Sequence, residues 1–252
     1  MTILEKIIQA KERRIGIQKI SNSFTDHYIN NDSNVAGPKF FDTLIKSKNE
    51  YKIIAEMKKA SPSAGLIVED YKPELIAQEY QKKGYTNLSI LTEEDHFHGL
   101  LSHITKVKKI SQLPVLQKDF IVDEWQIYQA KTIGADCILL IAEVLTKEEI
   151  DSFIHTANTL QLDVLLEFHA ETEIPKITDA NLNYIGINNR NLHTLETDVN
   201  HALRIRDKYH RELENFSIVA ESGFKTKIEL DTYKSNQIDL FLIGESLLKE
   251  KL

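Results

Sequence analysis

The chain has a single cysteine, Cys137, and it sits inside an apolar run. One thiol cannot form an internal disulfide, and a zinc site needs several ligands at defined spacing. Long hydrophobic stretches are missing too, so no run approaches the length of a membrane span. The opening residues, MTILEKIIQAKERR, carry mixed charge and lack the apolar centre of a signal peptide. Residues 51–252 contain no low-complexity segment and no linker-like run. No Gly-x-Gly-x-x-Gly follows the first strand-like run, which counts against a dinucleotide-binding sheet. Gly-x-Ser-x-Gly is also absent, and Cys137 lies mid-run, so a covalent serine or thiol nucleophile is not expected. Positive charge is in deficit. The 31 Lys and Arg against 38 Asp and Glu give a net charge of −7, which weighs against general nucleic-acid binding. The expectation is a cytoplasmic protein that meets neither nucleic acid nor membrane.

What is present is regular. In 252 residues, 42% of them hydrophobic, there is enough apolar material for a sizeable core. Residues 2–20 place Ile3, Leu4, Ile7, Ile8 and Ile15 at helical spacing, predicting one amphipathic helix. Residues 21–50 are polar and broken by Gly37-Pro38, with Phe40, Phe41, Leu44 and Ile45 predicting a second short helix. These first 50 residues read as a helical extension placed before residues 51–252, within a single barrel domain spanning 1–252.

From residue 51 onward, apolar strand-like runs recur at 53–55, 88–91, 114–116, 137–142, 164–166, 184–187, 218–220 and 240–243. Their spacing is that of a strand plus a helix. Helix-like segments fall at 73–83, 123–133, 146–160, 198–209 and 225–233; Thr146 with Glu149 three residues on has capping-box spacing. Eight alternating units favour an α/β fold of the (β/α)8 TIM-barrel type. An open doubly wound sheet is the alternative, because periodicity alone does not show closure.

In such barrels the chemistry sits at the C-terminal strand ends. The first run ends in Glu56 and Lys58, which share a face because residues two apart on a strand do. Later runs end in Thr92 and Glu93, Lys118 and Asp119, Glu167 and His169, then Asn188, Asn189 and Arg190. The last two end in Glu221-Ser222-Gly223 and Gly244-Glu245-Ser246. A lone charged residue after a strand is usually a solvated loop start. Together, though, these acids and amines would converge on one mouth and tune one another's pKa values. The glycine turns after the seventh and eighth runs fall where barrels bind phosphate. His96 and His98 make a His-x-His pair with no evident third ligand, so a loop is preferred to a metal site.

Several segments resemble, in order and spacing, those of the indole-3-glycerol phosphate synthase family. They are IIAEMKKASPSAG, LTEEDHFHG, VLQKDFIVDEWQIYQA, GADCILLIAEVL, LLEFH, YIGINNRNLHTLETD, VAESG and FLIGESLL. The resemblance extends over essentially the whole chain. It implies a decarboxylating, dehydrating ring closure of 1-(2-carboxyphenylamino)-1-deoxyribulose 5-phosphate in tryptophan biosynthesis, with no cofactor and no metal. It implies a small phosphosugar as partner and is read here with a monomer.

Carried over residue by residue, it makes Lys118 the general acid at the substrate ketone. Glu167 and Glu56 become acid–base partners, with Lys58 pairing with the substrate carboxylate or supplying a proton. Asn188 and Arg190 orient substrate, and Glu221 joins the substrate site. Phe97, Phe120 and Leu139 form an apolar wall for the aromatic ring. Ser61 belongs to the first loop, and Ser222, Gly223, Gly244 and Glu245 form the phosphate cradle. Which lysine donates at which step stays open. The chain departs from the family pattern at Ala64, where a lysine is common, at the histidines flanking Phe97, and at Glu245, where a serine is frequent. A sister barrel, phosphoribosylanthranilate isomerase, would want an early cysteine. A non-catalytic phosphometabolite sensor would have no use for the lysine–glutamate set.

Overall fold

The structure, a computed structural model, describes residues 1–21, 39–250 and 252. The expected Gly37-Pro38 break lies outside the described residues. Eight parallel strands are present: β1 (Lys52–Met57), β2 (Asn87–Leu91), β3 (Val115–Lys118), β4 (Cys137–Ile141), β5 (Asp163–Phe168), β6 (Tyr184–Asn188), β7 (Ser217–Glu221) and β8 (Leu240–Ile243). Each pairs with its neighbours in sequence, and β1 closes on β8 with Lys52 opposite Leu240 and Ala55 opposite Ile243. Closure decides for the barrel over the open sheet. All eight expected runs are strands. Pro114 stays outside β3, consistent with its missing N–H.

Alternation along the strands separates two cores. Ile53, Ala55 and Met57 face outward with Leu88, Ile90, Ile138, Leu140, Leu166 and Ile187 into one apolar cluster. Ile54, Leu116, Leu139, Leu165, Val219 and Leu242 face inward and fill the barrel's interior. The same parity then carries a polar residue inward two positions later on each odd strand: Glu56 after Ile54, Lys118 after Leu116, Glu167 after Leu165, Glu221 after Val219.

The outer ring is α3 (Pro73–Lys82), α4 (Leu101–Lys108), α5 (Trp125–Thr132), α6 (Lys147–Thr159), α7 (Ile174–Thr178), α8 (His201–Lys208), α9 (Lys227–Ser235) and α10 (Glu245–Leu248). Thr146 and Glu149 do form a reciprocal cap on α6. Asp123 lies ahead of α5 and accepts from the Trp125 N–H at 2.9 Å. The helices α4, α7 and α10 do not stand out in the sequence. They span four to eight residues, too few for an apolar period to repeat clearly.

The N-terminal segment closes both ends of the barrel. Helix α1 (Ile3–Ser21) lies over the C-terminal mouth, where Ile3, Leu4 and Ile7 line the central cavity. Helix α2 (Phe40–Lys46) plugs the opposite end. There the Phe40 carbonyl accepts from Asn87 at 2.8 Å, at the start of β2. Phe41 N–H donates to Asp163 at 3.1 Å, at the start of β5, and the Phe41 ring stacks on Tyr184 at 3.7 Å. These helices are therefore built into the barrel core, not set beside it.

Truncating Phe41 removes a buried ring far from the mouth. Phe41→Ala is expected to cost about 3–5 kcal/mol of stability, as for other buried phenylalanines, and to leave turnover of the folded protein unchanged. Thermal unfolding alongside kcat checks this; an unshifted Tm would contradict it.

Candidate active site

Strand register puts Glu56, Lys118, Glu167 and Glu221 at one height. Glu56 is level with Ser89, and Ser89 with Leu116, two residues below Lys118. Glu167 is level with Gly186, and Gly186 with Val219, two below Glu221. Glu221 is level with Leu242, and Leu242 with Ile54, two below Glu56. That steady advance is the stagger of a closed barrel, in which alternate strands contribute four side chains to each layer. The top layer here consists of three carboxylates and one ammonium.

Lys118 Nζ donates to Glu167 at 2.6 Å and to Glu221 at 2.5 Å. Asn188 Nδ2 donates to the other Glu167 oxygen at 2.7 Å. Both carboxylates are almost fully buried. Burial would lower the Lys118 pKa, but Glu167, Glu221 and Glu56 more than reverse that and raise it well above the usual lysine range. Burial likewise pushes the Glu167 carboxyl up, yet Lys118 and Asn188 hold it below its ordinary value. Glu221 is pushed up to about 8, by burial first and then by the Glu167 charge. Two buried carboxylates side by side do not ionise equally, and they titrate as a pair.

Glycines make the room for these carboxylates. A Cβ on Gly186 would run into Glu221, and one on Gly244 into Glu56. Lys58 donates to Glu56, as their shared face predicted.

A cavity of about 620 Å³ opens above this layer. Its walls include Glu56, Lys58, Ser61, Phe97, Lys118, Phe120, Leu139, Glu167, Asn188, Arg190, Glu221, Ser222, Gly223 and Glu245, so these expected site residues do come together. Phe97 and Phe120 lie 6.3 Å apart, centroid to centroid. Helix α1 completes that apolar side at the rim of the mouth, where its apolar stripe finds the partner it needs. Arg190 on the β6 turn reaches across to Ser63, clasping the loop after β1. Ser61 Oγ accepts from Ala64 N–H at 3.2 Å inside that loop.

Gly244 lies between two cavity-lining residues, Ile243 and Glu245, and the space its missing side chain leaves is taken by Glu56. Ser222 and Gly223 both have left-handed backbone, φ 68° and 91°, and a Cβ on Gly223 would sit 2.9 Å from Thr197. Asn189 braces the turn, donating to the Ser222 carbonyl at 3.1 Å. Glu245 pairs with Lys249 at 2.6 Å, and that bond holds its carboxyl below the usual range. Its side chain is thus engaged, as a backbone role at this position would require.

Other strand-end residues are structural. Thr92 donates to Asp119 at 2.6 Å, and Glu93 accepts three backbone N–H groups from residues 95–97. His169 packs flat on His201, with ring centroids 4.0 Å apart. Cys137 is enclosed in the barrel, where burial pushes its thiol up. Among the described residues no group of three or more His, Cys, Asp or Glu is placed to hold a metal. Among them, too, no helix is long and apolar enough to cross a membrane.

Closed barrel and ionisable mouth together define the class: a (β/α)8 barrel with acid–base groups gathered at the strand C-termini. A solved N-acetylmannosamine-6-phosphate 2-epimerase from Clostridium perfringens shares the fold, with TM-score 0.60, 8% identity, and coverage of 86% of this chain and 93% of that one. The family model described as indole-3-glycerol phosphate synthase matches residues 4–251. A relative of that name from Endomicrobium trichonymphae is 40% identical over 98% of this chain and 95% of its own length. Another from Neisseria meningitidis serogroup B is 38% identical over 98% and 94%. The chain belongs to the indole-3-glycerol phosphate synthase family. Like that family, it is a carboxy-lyase of tryptophan biosynthesis.

The proton shared near Glu221 has a kinetic consequence. Below about pH 8 Glu221 is neutral and Lys118 faces one carboxylate charge fewer; above it, the second negative charge holds the lysine proton more tightly. The kcat/KM profile, which reports groups of the free enzyme, is expected to fall on the alkaline side with a limb near 8. Glu221→Gln should remove that limb, and a limb that persists unchanged would contradict the assignment.

Proposed function

We propose that the mouth closes the indole ring of 1-(2-carboxyphenylamino)-1-deoxyribulose 5-phosphate, giving indole-3-glycerol phosphate, carbon dioxide and water. The observation that carries this is Lys118, held between two buried carboxylates beneath an apolar wall.

The aromatic ring lies against Phe97, Phe120 and Leu139, which puts its carboxylate-bearing carbon toward the ketone. That carbon attacks the ketone carbon, and Lys118 gives a proton to the ketone oxygen as the new bond forms. A proton donor there is what the attack requires, because negative charge builds on that oxygen. Breaking the bond to the carboxylate carbon returns an electron pair to the ring and releases carbon dioxide. The hydroxyl left behind departs as water. One carboxyl of the Glu167–Glu56 pair protonates it and the other takes a proton from the neighbouring ring carbon, which completes the double bond.

Lys58 and Arg190 supply positive charge for the substrate carboxylate and for positioning, and Asn188 orients both Glu167 and the substrate. Ser61 closes from the first loop. Ser222, Gly223 and the Glu245 turn take the phosphate, with Lys225 and Lys249 at the rim of the same cavity. Both lysines closely follow a glycine turn in sequence, which is the signal that marks them. The same reading makes residues 1–252 one domain and the protein a cytoplasmic monomer acting on a small phosphosugar. The cavity-lining α1 supports the single domain.

Adding the substrate should produce indole fluorescence. Lys118→Met should abolish it in a folded protein, since a general acid contributes about 10²–10⁴-fold in rate. Near-normal turnover in that variant would remove Lys118 from the chemistry.

The phosphate end calls for a milder change than one at Gly244, because a side chain there would strike Glu56 first. Ser222→Ala is expected to raise KM about 10-fold, the worth of one hydrogen bond to a charged group, with a smaller loss in kcat. Competition by inorganic phosphate should weaken in parallel. Unchanged KM and unchanged competition would place the phosphate elsewhere.

A further inference from the structure

The buried stripe of α1 contains a charge. Leu4, Ile7, Lys11 and Ile15 fall at successive helical spacings, and all four are buried. A lysine in an apolar stripe is costly unless its ammonium is paired and hydrogen-bonded. Lys11 meets both conditions. It is 4% exposed, and its Nζ lies 2.8 Å from Asp119 Oδ1 and 3.0 Å from Glu94 Oε2. Burial would lower its pKa, and the two carboxylates more than compensate.

The partner is the informative part. Asp119 directly follows Lys118 and precedes Phe120, so it sits between the proposed general acid and part of the aromatic wall. Its carboxylate is fully employed. Oδ1 accepts from Phe120 N–H at 2.8 Å, and Oδ2 accepts from Thr92 Oγ1 at 2.6 Å. Thr92 in turn donates its N–H to the Lys118 carbonyl at 3.1 Å and accepts from Gln117 at 3.2 Å. Residues 117–120 are thus fixed by one buried network, and among the described residues Lys11 is the only cation paired with Asp119. Glu94, by contrast, has a second cation in Arg14, which also binds Asp95. Removing Lys11 leaves Glu94 paired and leaves the buried Asp119 without a counter-charge.

We propose that Lys11 is a positioning residue for the ring closure: through Asp119 it fixes the backbone that aims Lys118 into the layer and sets Phe120 against the substrate ring. Helix α1 is then part of the catalytic apparatus as well as part of the cavity wall. This rests on the role given to Lys118. A misaimed ammonium lowers the chemical step more than it lowers binding, because displacements of about an ångström at a reacting group cost rate steeply.

The test is Lys11→Met in the full chain, assayed well below its unfolding temperature. We expect kcat to fall at least 10-fold while KM changes less than 3-fold. The alkaline limb of kcat/KM should also move from its position near pH 8, because the seat of Lys118 has shifted. Arg14→Ala weakens the same docking of α1 without touching Asp119, and it should keep kcat within 2-fold. Lys11→Met combined with Asp119→Asn should lose no more kcat than the worse single variant, since the two residues act as a unit. If Lys11→Met does not fold, Asp119→Asn asks the same question with a nearly isosteric change, and a fall of 10-fold or more in its kcat supports the proposal. A folded Lys11→Met, or Asp119→Asn, with a lowered Tm and an unaltered kcat and pH profile overturns it and makes the ion pair a tether. Should Lys118→Met itself retain turnover, the role of Lys118 has failed instead, whatever Lys11 does.

Discussion

The mouth depends on one ammonium held between two buried carboxylates. Desolvating charged groups costs several kcal/mol per ion, and a lone buried charge is far worse than a pair. Lys118 therefore cannot be taken out of its place between Glu167 and Glu221 without leaving a buried carboxylate charge uncompensated in an apolar barrel. The structure meets this constraint with geometry. Closure at a fixed stagger brings four odd strands to one height, and each delivers its side chain inward two residues after an apolar one. Glycines at 186 and 244 leave the space that Glu221 and Glu56 occupy.

The rest of the molecule keeps that layer between closed surfaces. Below it the interior is aliphatic, and α2 seals the far end with Phe40 and Phe41. Above it α1, the loop after β1 and the Arg190 clasp narrow the opening. A site shielded in this way strengthens electrostatic interactions inside it. The cavity wall mixes Lys58, Lys118, Arg190, Lys225 and Lys249 with Glu56, Asp119, Glu167, Glu221, Glu229 and Glu245, so an anionic group there meets individual cations, not a net positive field.

Much of this is legible in the sequence, for a physical reason. Strand residues alternate faces, so the polar residue after each apolar run belongs at the mouth on the strength of its position in the chain. Glu56, Lys118, Glu167, Asn188 and Glu221 all lie there. What is not legible depends on contacts between distant segments. A lysine at position 11 interrupts the apolar stripe of an amphipathic helix with no partner visible nearby in sequence; only the fold brings Asp119 to it. Gly244 has the pattern of a phosphate turn, and nothing in its neighbourhood in sequence reveals that Glu56 fills the space. The helices α7 and α10 are too short to display a period. The plug that α2 forms at the far end follows from where the chain returns in space.

Glu167 and Glu221 share the Lys118 ammonium and so titrate unequally. Carbon-13 NMR of the unliganded protein labelled at the glutamate carboxyl carbons tests it most directly, with Glu167→Gln and Glu221→Gln assigning the signals. One carboxyl is expected to stay ionised below the usual glutamate range and one to titrate near pH 8, both moving in Lys118→Met. Two carboxyls that titrate together at ordinary glutamate values, indifferent to Lys118→Met, would contradict it.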